Sequence, residues 1–273
     1  MTFTKLFERV PPRLRHWGKL AVSSQYRSRY RELERLRRTP RYARTHTHLL
    51  GARLDLVDAA SFLALYDELI EGQIYRFETT KRAPFIIDGG ANIGVSSIFF
   101  KSLYPKSRIL AFEPDPEVFK VLKANCESFG LHDVELVPKA LWTCDTTLQF
   151  KQEHSDAGRV SRTGDAGDLI SVDACRLKDY LRTDVDLLKL DIEGAETTVL
   201  ADCASVLSNV ERLFVEYHSF ANSPQTLHEL TAILTDAGFR IHMQCPMFSP
   251  QPFVKRDVYL GMDFQANIFA FRS

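Results

Sequence analysis

Phe85-Ile86-Ile87-Asp88-Gly89-Gly90-Ala91-Asn92-Ile93-Gly94-Val95-Ser96-Ser97 is the stretch that decides the fold. Its first three residues form an apolar run with no polar break, which fits a strand buried on both faces. The run ends on Asp88 and two glycines, and apolar residues at Val95, Ile98, Phe99 and Leu103 then follow with helical spacing. Strand, tight turn and helix in that order open an α/β sheet. Glycine lets the backbone turn sharply and approach a ligand closely. The first N–H groups of the following helix have no partner inside the helix and face outward.

The same unit repeats along the chain. Apolar runs predict strands at 108–112, 134–137, 185–190 and 213–215, with a short one at 170–172 and later ones at 240–244 and 267–271. Amphipathic patterns predict helices at 116–129, 194–207 and 224–237. Such alternation implies a mostly parallel sheet with helices on both faces. Upstream, a short strand at 52–57 and a helix at 59–71 place Phe62, Leu63, Tyr66 and Leu69 on one face, a lid or buttress before the main domain. Three units are expected: a basic helical extension (1–50), the lid or buttress (51–83) and the main domain (84–273).

Composition sets limits on the rest. The 273 residues are 45% hydrophobic and 26% charged, ordinary values for a globular chain. No apolar run is long enough to span a bilayer and the first residues lack the apolar core of a secretory signal, so a cytoplasmic location is expected. Five scattered cysteines with no CxxC spacing argue against a disulfide framework or a zinc knuckle. The net charge is zero, but residues 1–50 hold thirteen Lys and Arg against three acids. Beyond a solvated helical face, that stretch would suit an anionic membrane surface, an acidic glycan or a partner protein. No recognised nucleic-acid motif accompanies it, so nucleic acid is not the expected partner.

Ligands of open α/β sheets bind beyond the carboxyl ends of the strands. The first such end, Gly90-x-x-x-Gly94 with Asp88 two positions earlier, departs from the G-x-G-x-x-G that seats a pyrophosphate. S-adenosylmethionine (SAM) has no phosphate. Its ammonium and sulfonium are positive, and an acid near the loop suits them. The second end carries Glu113, placed to accept two hydrogen bonds from a ribose diol.

Three motifs in this order, FIIDGGANIGVSS, AFEPDP and LLKLDIEGAE, resemble the FkbM family of SAM-dependent methyltransferases, over about residues 51–273. The resemblance implies the class I (Rossmann-like) methyltransferase fold, a seven-stranded sheet with one antiparallel strand near the C-terminus. It implies SAM bound at Gly90, Ala91, Asn92, Ile93 and Gly94, with Asp88 beside the loop and Glu113 on the ribose. Class I enzymes usually contact adenine past the third strand, here at Ala140 and Leu141. Tyr75, just before the first main strand, is a candidate to close over SAM. Family members act mostly on oxygen in sugars, polyketides and similar acceptors, so a sugar, glycan or other small molecule is the expected acceptor, within polysaccharide biosynthesis.

Methylating a hydroxyl requires in-line placement and a group to take its proton. Asp191, Glu216 and His218, after the fourth and fifth main strands, are the catalytic candidates, and Asp191 also faces the cofactor. Glu193 and Glu196 suit the start of the next helix. Asp191, Glu193, Glu216 and His218 are also hard ligands for a divalent ion, an alternative to the base. Three rivals remain. An N-methyltransferase of amino sugars uses the same fold, as does a non-catalytic SAM-binding scaffold. A nucleic-acid base methyltransferase would commonly carry a proline-aromatic motif where Asp191-Ile192-Glu193-Gly194 stands. Acceptor choice is expected in 51–83 and in the loops 153–168, with His154, and 246–263.

Overall fold

The computed structural model describes residues 23–151, 159–160 and 169–272. Most of the loop expected at 153–168, including His154, lies outside them, as does the first part of the basic extension. The main sheet has seven strands: β3 (Phe85–Gly89), β4 (Arg108–Phe112), β5 (Val134–Val137), β10 (Leu187–Leu190), β11 (Arg212–Phe220), β12 (Arg240–Met247) and β13 (Met262–Phe271). Their order across the sheet is β12-β13-β11-β10-β3-β4-β5. β3, β4, β5, β10 and β11 pair in parallel, and β13 runs antiparallel between β11 and β12. This is the class I arrangement expected from the sequence.

The alternation of side chains along each strand divides the core into two layers. Ile86 and Ile109 face one side of the sheet, with Phe62, Phe99, Phe100 and Leu122. Ile87 and Leu110 face the other, with Leu188, Val199, Leu200, Leu213 and Leu234. Helices α3 (Val95–Leu103) and α4 (Pro116–Ser128) cover the first side, and α5 (Glu196–Cys203) and α6 (Leu227–Asp236) the second. The start of α4 follows the usual rules for an N-terminus. Pro116 occupies the first turn, and the Asp115 carboxylate accepts from the Glu117 and Val118 N–H groups.

Several boundaries differ from expectation. α5 begins at Glu196 rather than 194, because Glu193 (φ 56°) and Gly194 (φ 93°) are left-handed. β11 continues past 215 to Phe220, since its outer half pairs with β13. A second sheet, order β6-β9-β7-β8, was not expected beyond the strand at 170–172. It comprises β6 (Ala140–Trp142), β7 (Thr146–Lys151), β8 (Arg159–Val160) and β9 (Leu169–Arg176).

The N-terminal elements pack on the α3–α4 side. Helix α1 (Ser24–Arg37) precedes β1 (Thr45–Thr47), which pairs with β2 (Leu54–Leu56) across the boundary expected at residue 50. Helix α2 (Ala59–Leu65) is capped by Asp58, whose carboxylate also accepts from the Tyr42 N–H and pairs with Arg41. It runs into a π-helical turn (Tyr66–Glu71) in which Gly72 N–H donates to Asp67 O, five residues back. Asn125 joins this layer to the main domain. Its amide donates to Asp55 O (3.0 Å) and Ile93 O (2.8 Å) and accepts from Asp55 N–H (2.7 Å). The side chain is 1% exposed, so Asn125→Ala would bury unpaired backbone groups. A loss of at least about 2 kcal/mol is expected in urea unfolding; a loss under half that would show that water or repacking replaces the amide.

Candidate active site

β3, β4 and β10 end side by side, and the loops beyond them build two adjoining cavities. The first lies over β3, β4 and β6, lined by Gly90, Asn92, Phe112, Glu113, Ala140 and Leu141 among others, with Val118, Phe150 and Val160 adding apolar walls. Its glycine loop is pinned from below. Gly90 and Ala91 N–H both donate to Phe112 O, at 3.0 and 2.8 Å. Gly90 has φ 74°, and a Cβ there would stand 1.9 Å from Asp191 O. The close approach of two strand ends therefore demands glycine.

Glu113 is 7% exposed. Its carboxylate accepts from Asn92 N–H (3.0 Å) and Asp115 N–H (2.9 Å). Burial pushes it up to about 7, and those two N–H groups work against the rise. A diol donating to it would favour the ionised form. The dry carboxylate, the apolar slot and the Cβ-free cradle together fit the ribose and adenine of SAM, with Gly90 and Asn92 at the polar end.

The second cavity, of about 280 Å3, lies on the other side of the loop. Ala91, Ile93 and Ser96 line it with Glu68, Lys189, Asp191, Glu193, Glu216 and Gln265. Gly90, Asn92, Asp191 and Glu193 belong to both cavities and mark where they meet. Lys189 is 2% exposed and sits beneath this junction. Its ammonium donates to Gly90 O (2.6 Å), with Asp191 at 3.4 Å and Asp88 at 3.7 Å. Burial acts to lower its pKa, but Asp191 and Asp88 outweigh it and raise it, so Lys189 keeps its charge.

Behind Asp191 stands a buried cluster around His218. Its Nδ1 lies 3.4 Å from Glu196, and its Nε2 lies 3.5 Å from Glu216 and 3.7 Å from Glu193. Burial alone would lower the imidazole pKa; Glu193, Glu196 and Glu216 together raise it well above its ordinary value. Burial lifts Glu193 to about 8, against the pull of His218. Glu196 also accepts from Ile192 and Gly194 N–H (3.2 and 2.9 Å), the helix-start role expected of it. Asp191, Glu193 and His218 offer ligand atoms within 4.8 Å of one another, a geometry a divalent ion could use.

The remaining residues singled out from the sequence fall in different places. Asp88 is fully buried behind the loop, accepting from Ser96 and Ser97 hydroxyls (2.6 and 2.7 Å), and it lines neither cavity. Gly94 caps α3 at φ 92°, also outside both. Tyr75 lies against the second cavity rather than the first, because Phe100 and Phe214 hold its ring in an aromatic cluster. His218 lines neither cavity; it faces an open depression with Gly194 and Tyr217. Its carboxylate neighbours favour the protonated imidazole, the form with no lone pair for a hydroxyl proton. Glu68 was not singled out from the sequence. The π-helical turn carries it into the second cavity, and burial with Glu216 and Asp191 nearby pushes its carboxyl up to about 7.

These shifts set an expected pH response. Glu68, Glu113 and Glu193 titrate higher in the folded chain than in the unfolded one, so the folded state holds extra protons between the ordinary carboxyl range and pH 8. Stability of the free protein should therefore fall as pH rises through that window. If ribose hydroxyls donate to Glu113, affinity for S-adenosylhomocysteine should rise with pH across 7, since the ionised carboxylate is the stronger acceptor. Calorimetric titrations from pH 6 to 8 would check this, and Glu113→Gln should flatten the profile. An equally steep profile in that variant would assign the dependence to another group.

Comparison with known proteins agrees with this arrangement. A family model described as the Methyltransferase FkbM domain matches residues 88–241. Methyltransferase sdnD of Sordaria araneosa is 30% identical over 69% of this chain and 86% of its own. The 31-O-demethyl-FK506 methyltransferase FkbM of Streptomyces tacrolimicus is 25% identical over 73% and 90%. The 2-O-methyltransferase NoeI of Sinorhizobium fredii is 28% identical over 55% and 67%. The match takes in the glycine loop, Glu113 and the Lys189-to-Glu196 segment that build the two cavities, and the chain belongs to the FkbM family of SAM-dependent methyltransferases.

Proposed function

We propose that this enzyme methylates a hydroxyl of a small polyhydroxylated acceptor, such as a sugar or a glycan end, held in the second cavity. The observation that carries this reading is the junction: the cavity lined by Gly90 and Glu113 opens at Asp191 and Glu193 into a chamber that also contains Glu68 and Glu216. Carboxylates are hydrogen-bond acceptors, and a polyol offers several donors. The names of two relatives specify transfer to oxygen, which supports the same choice.

SAM brings the methyl group as an electrophile on its sulfonium. Asp191, which faces both cavities, takes the hydroxyl proton as the oxygen–methyl bond forms and the sulfur–methyl bond breaks. Glu68 and Glu216 orient the acceptor, and His218 holds Glu193 and Glu216 in place from behind. Residues 51–83 act as the wall and lid of this chamber, through Ser61, Leu65 and Glu68. Incubation with methyl-labelled SAM and a panel of glycans and small polyols, followed by mass spectrometry, tests the proposal. Label on oxygen is expected. Label on an amine would establish the amino-sugar alternative, and SAM binding without turnover on any fraction would favour a scaffold.

The grouping of Asp191, Glu193 and His218 favours a second reading, in which a divalent ion takes the place of the base. Exhaustive chelation separates the two. Undiminished turnover in chelator is expected; loss of turnover restored by Mg2+ or Mn2+ would transfer the role to the metal.

A further inference from the structure

The connection between β12 and β13 exposes a row of apolar side chains that line neither cavity. Phe253 is 103% exposed, Val254 82%, Phe248 62% and Val258 55%. The segment is nonetheless shaped by its own hydrogen bonds. Val254 and Lys255 N–H both donate to Gln251 O at 2.9 Å, Asp257 N–H donates to the Ser249 hydroxyl at 2.8 Å, and Tyr259 and Met262 exchange backbone hydrogen bonds. The loop thus holds Phe253 and Val254 out in water, where their apolar surface is less favourable than in a covered state.

Charged groups stand beside these apolar ones, and Lys255 pairs with Asp257 at 2.8 Å. Lys255 and Arg256 follow directly, and Arg41 donates to the Tyr259 hydroxyl (3.0 Å), which joins the loop to the basic N-terminal segment. Apolar prongs beside cations match a lipid surface, where acyl chains take the former and anionic headgroups the latter. The loop also leaves the acceptor chamber directly, since Pro246 and Met247 at its root line that cavity.

We propose that the 248–261 loop docks this enzyme on an anionic lipid bilayer, with Phe253 and Val254 entering the interface and Lys255, Arg256 and Arg41 meeting the headgroups. The acceptor chamber then opens close to the membrane surface. No described helix is long and apolar enough to cross a membrane, so the contact is peripheral.

Co-sedimentation of the full chain with vesicles tests this. Binding to phosphatidylcholine vesicles containing phosphatidylserine is expected, with at least a tenfold weaker response to phosphatidylcholine alone or at high salt. The pair Phe253→Ser and Val254→Ser should reduce binding at least tenfold while leaving stabilisation by S-adenosylhomocysteine unchanged, which separates docking from folding and from the methyl-transfer site. A Phe253→Trp variant should show blue-shifted emission on adding the anionic vesicles. Failure of the wild-type chain to sediment with them, or undiminished binding by the double variant, would overturn the proposal. So would a dimer in analytical ultracentrifugation that the double variant loses without any vesicle binding, which would make the loop an interface between copies.

Discussion

Gly90→Ala should abolish measurable S-adenosylhomocysteine binding and cost roughly 3–5 kcal/mol of stability, the range of severe backbone and core lesions. Two terms add. The residue sits at φ 74°, where a side chain costs about 1–2 kcal/mol. The new Cβ would also stand 1.9 Å from Asp191 O, a backbone atom at the end of β10, so the ends of β3 and β10 must part. That movement displaces the cradle for the donor, the Lys189 anchor on Gly90 O and the position of Asp191 together. Gly94→Ala is the control. Its φ of 92° is as unfavourable, but its Cβ would meet Leu122 Cδ1, the end of a flexible side chain, at 2.8 Å. It should fold and bind better than Gly90→Ala. Calorimetric binding and thermal unfolding of both variants would show the order, and a reversed order would mean that strand approach does not shape the site.

Asp191→Asn should lower turnover about 10²- to 10⁴-fold, the usual contribution of a positioned acid–base group. Asparagine keeps the size and a hydrogen-bonding oxygen, so the slot remains, and affinity for S-adenosylhomocysteine should change less than about tenfold. His218→Gln should have a smaller effect on turnover, because His218 lines neither cavity and acts only through the carboxylates that do. Single-turnover rates with labelled SAM would separate the two. Equal loss in both variants would place the proton transfer on the histidine cluster instead.

Much of the fold was legible in the sequence because burial on both faces writes an unbroken apolar run. β3, β4 and β5 lie where those runs predict them, and the glycine loop and Glu113 follow at their ends. The second sheet was not legible. β7 reads Thr146-Thr147-Leu148-Gln149-Phe150-Lys151, a polar strand with one buried side chain, Phe150, and its pairing is long-range. β11 was cut short for a different reason. Glu216 and His218 interrupt its apolar run as a strand end would; Glu216 lines the second cavity, while His218 lies buried against Glu216, Glu193 and Glu196 and lines neither. In the site itself, the acids at the strand ends were visible as a set. Their division was not: Asp88 braces the loop and Glu113 faces the first cavity, a difference of side-chain direction that spacing does not encode. Glu68 was hidden because a π-helical turn shifts the helical period that the sequence reading assumes.

The most direct test of the central claim is a calorimetric titration of S-adenosylhomocysteine into the wild-type chain and into Glu113→Ala. Saturable one-to-one binding by the wild type is expected, weakened about 100-fold or more when the ribose loses two hydrogen bonds to a charged acceptor. No binding by the wild type, or equal binding by the variant, would contradict the assignment of the donor to the cavity at Gly90 and Glu113.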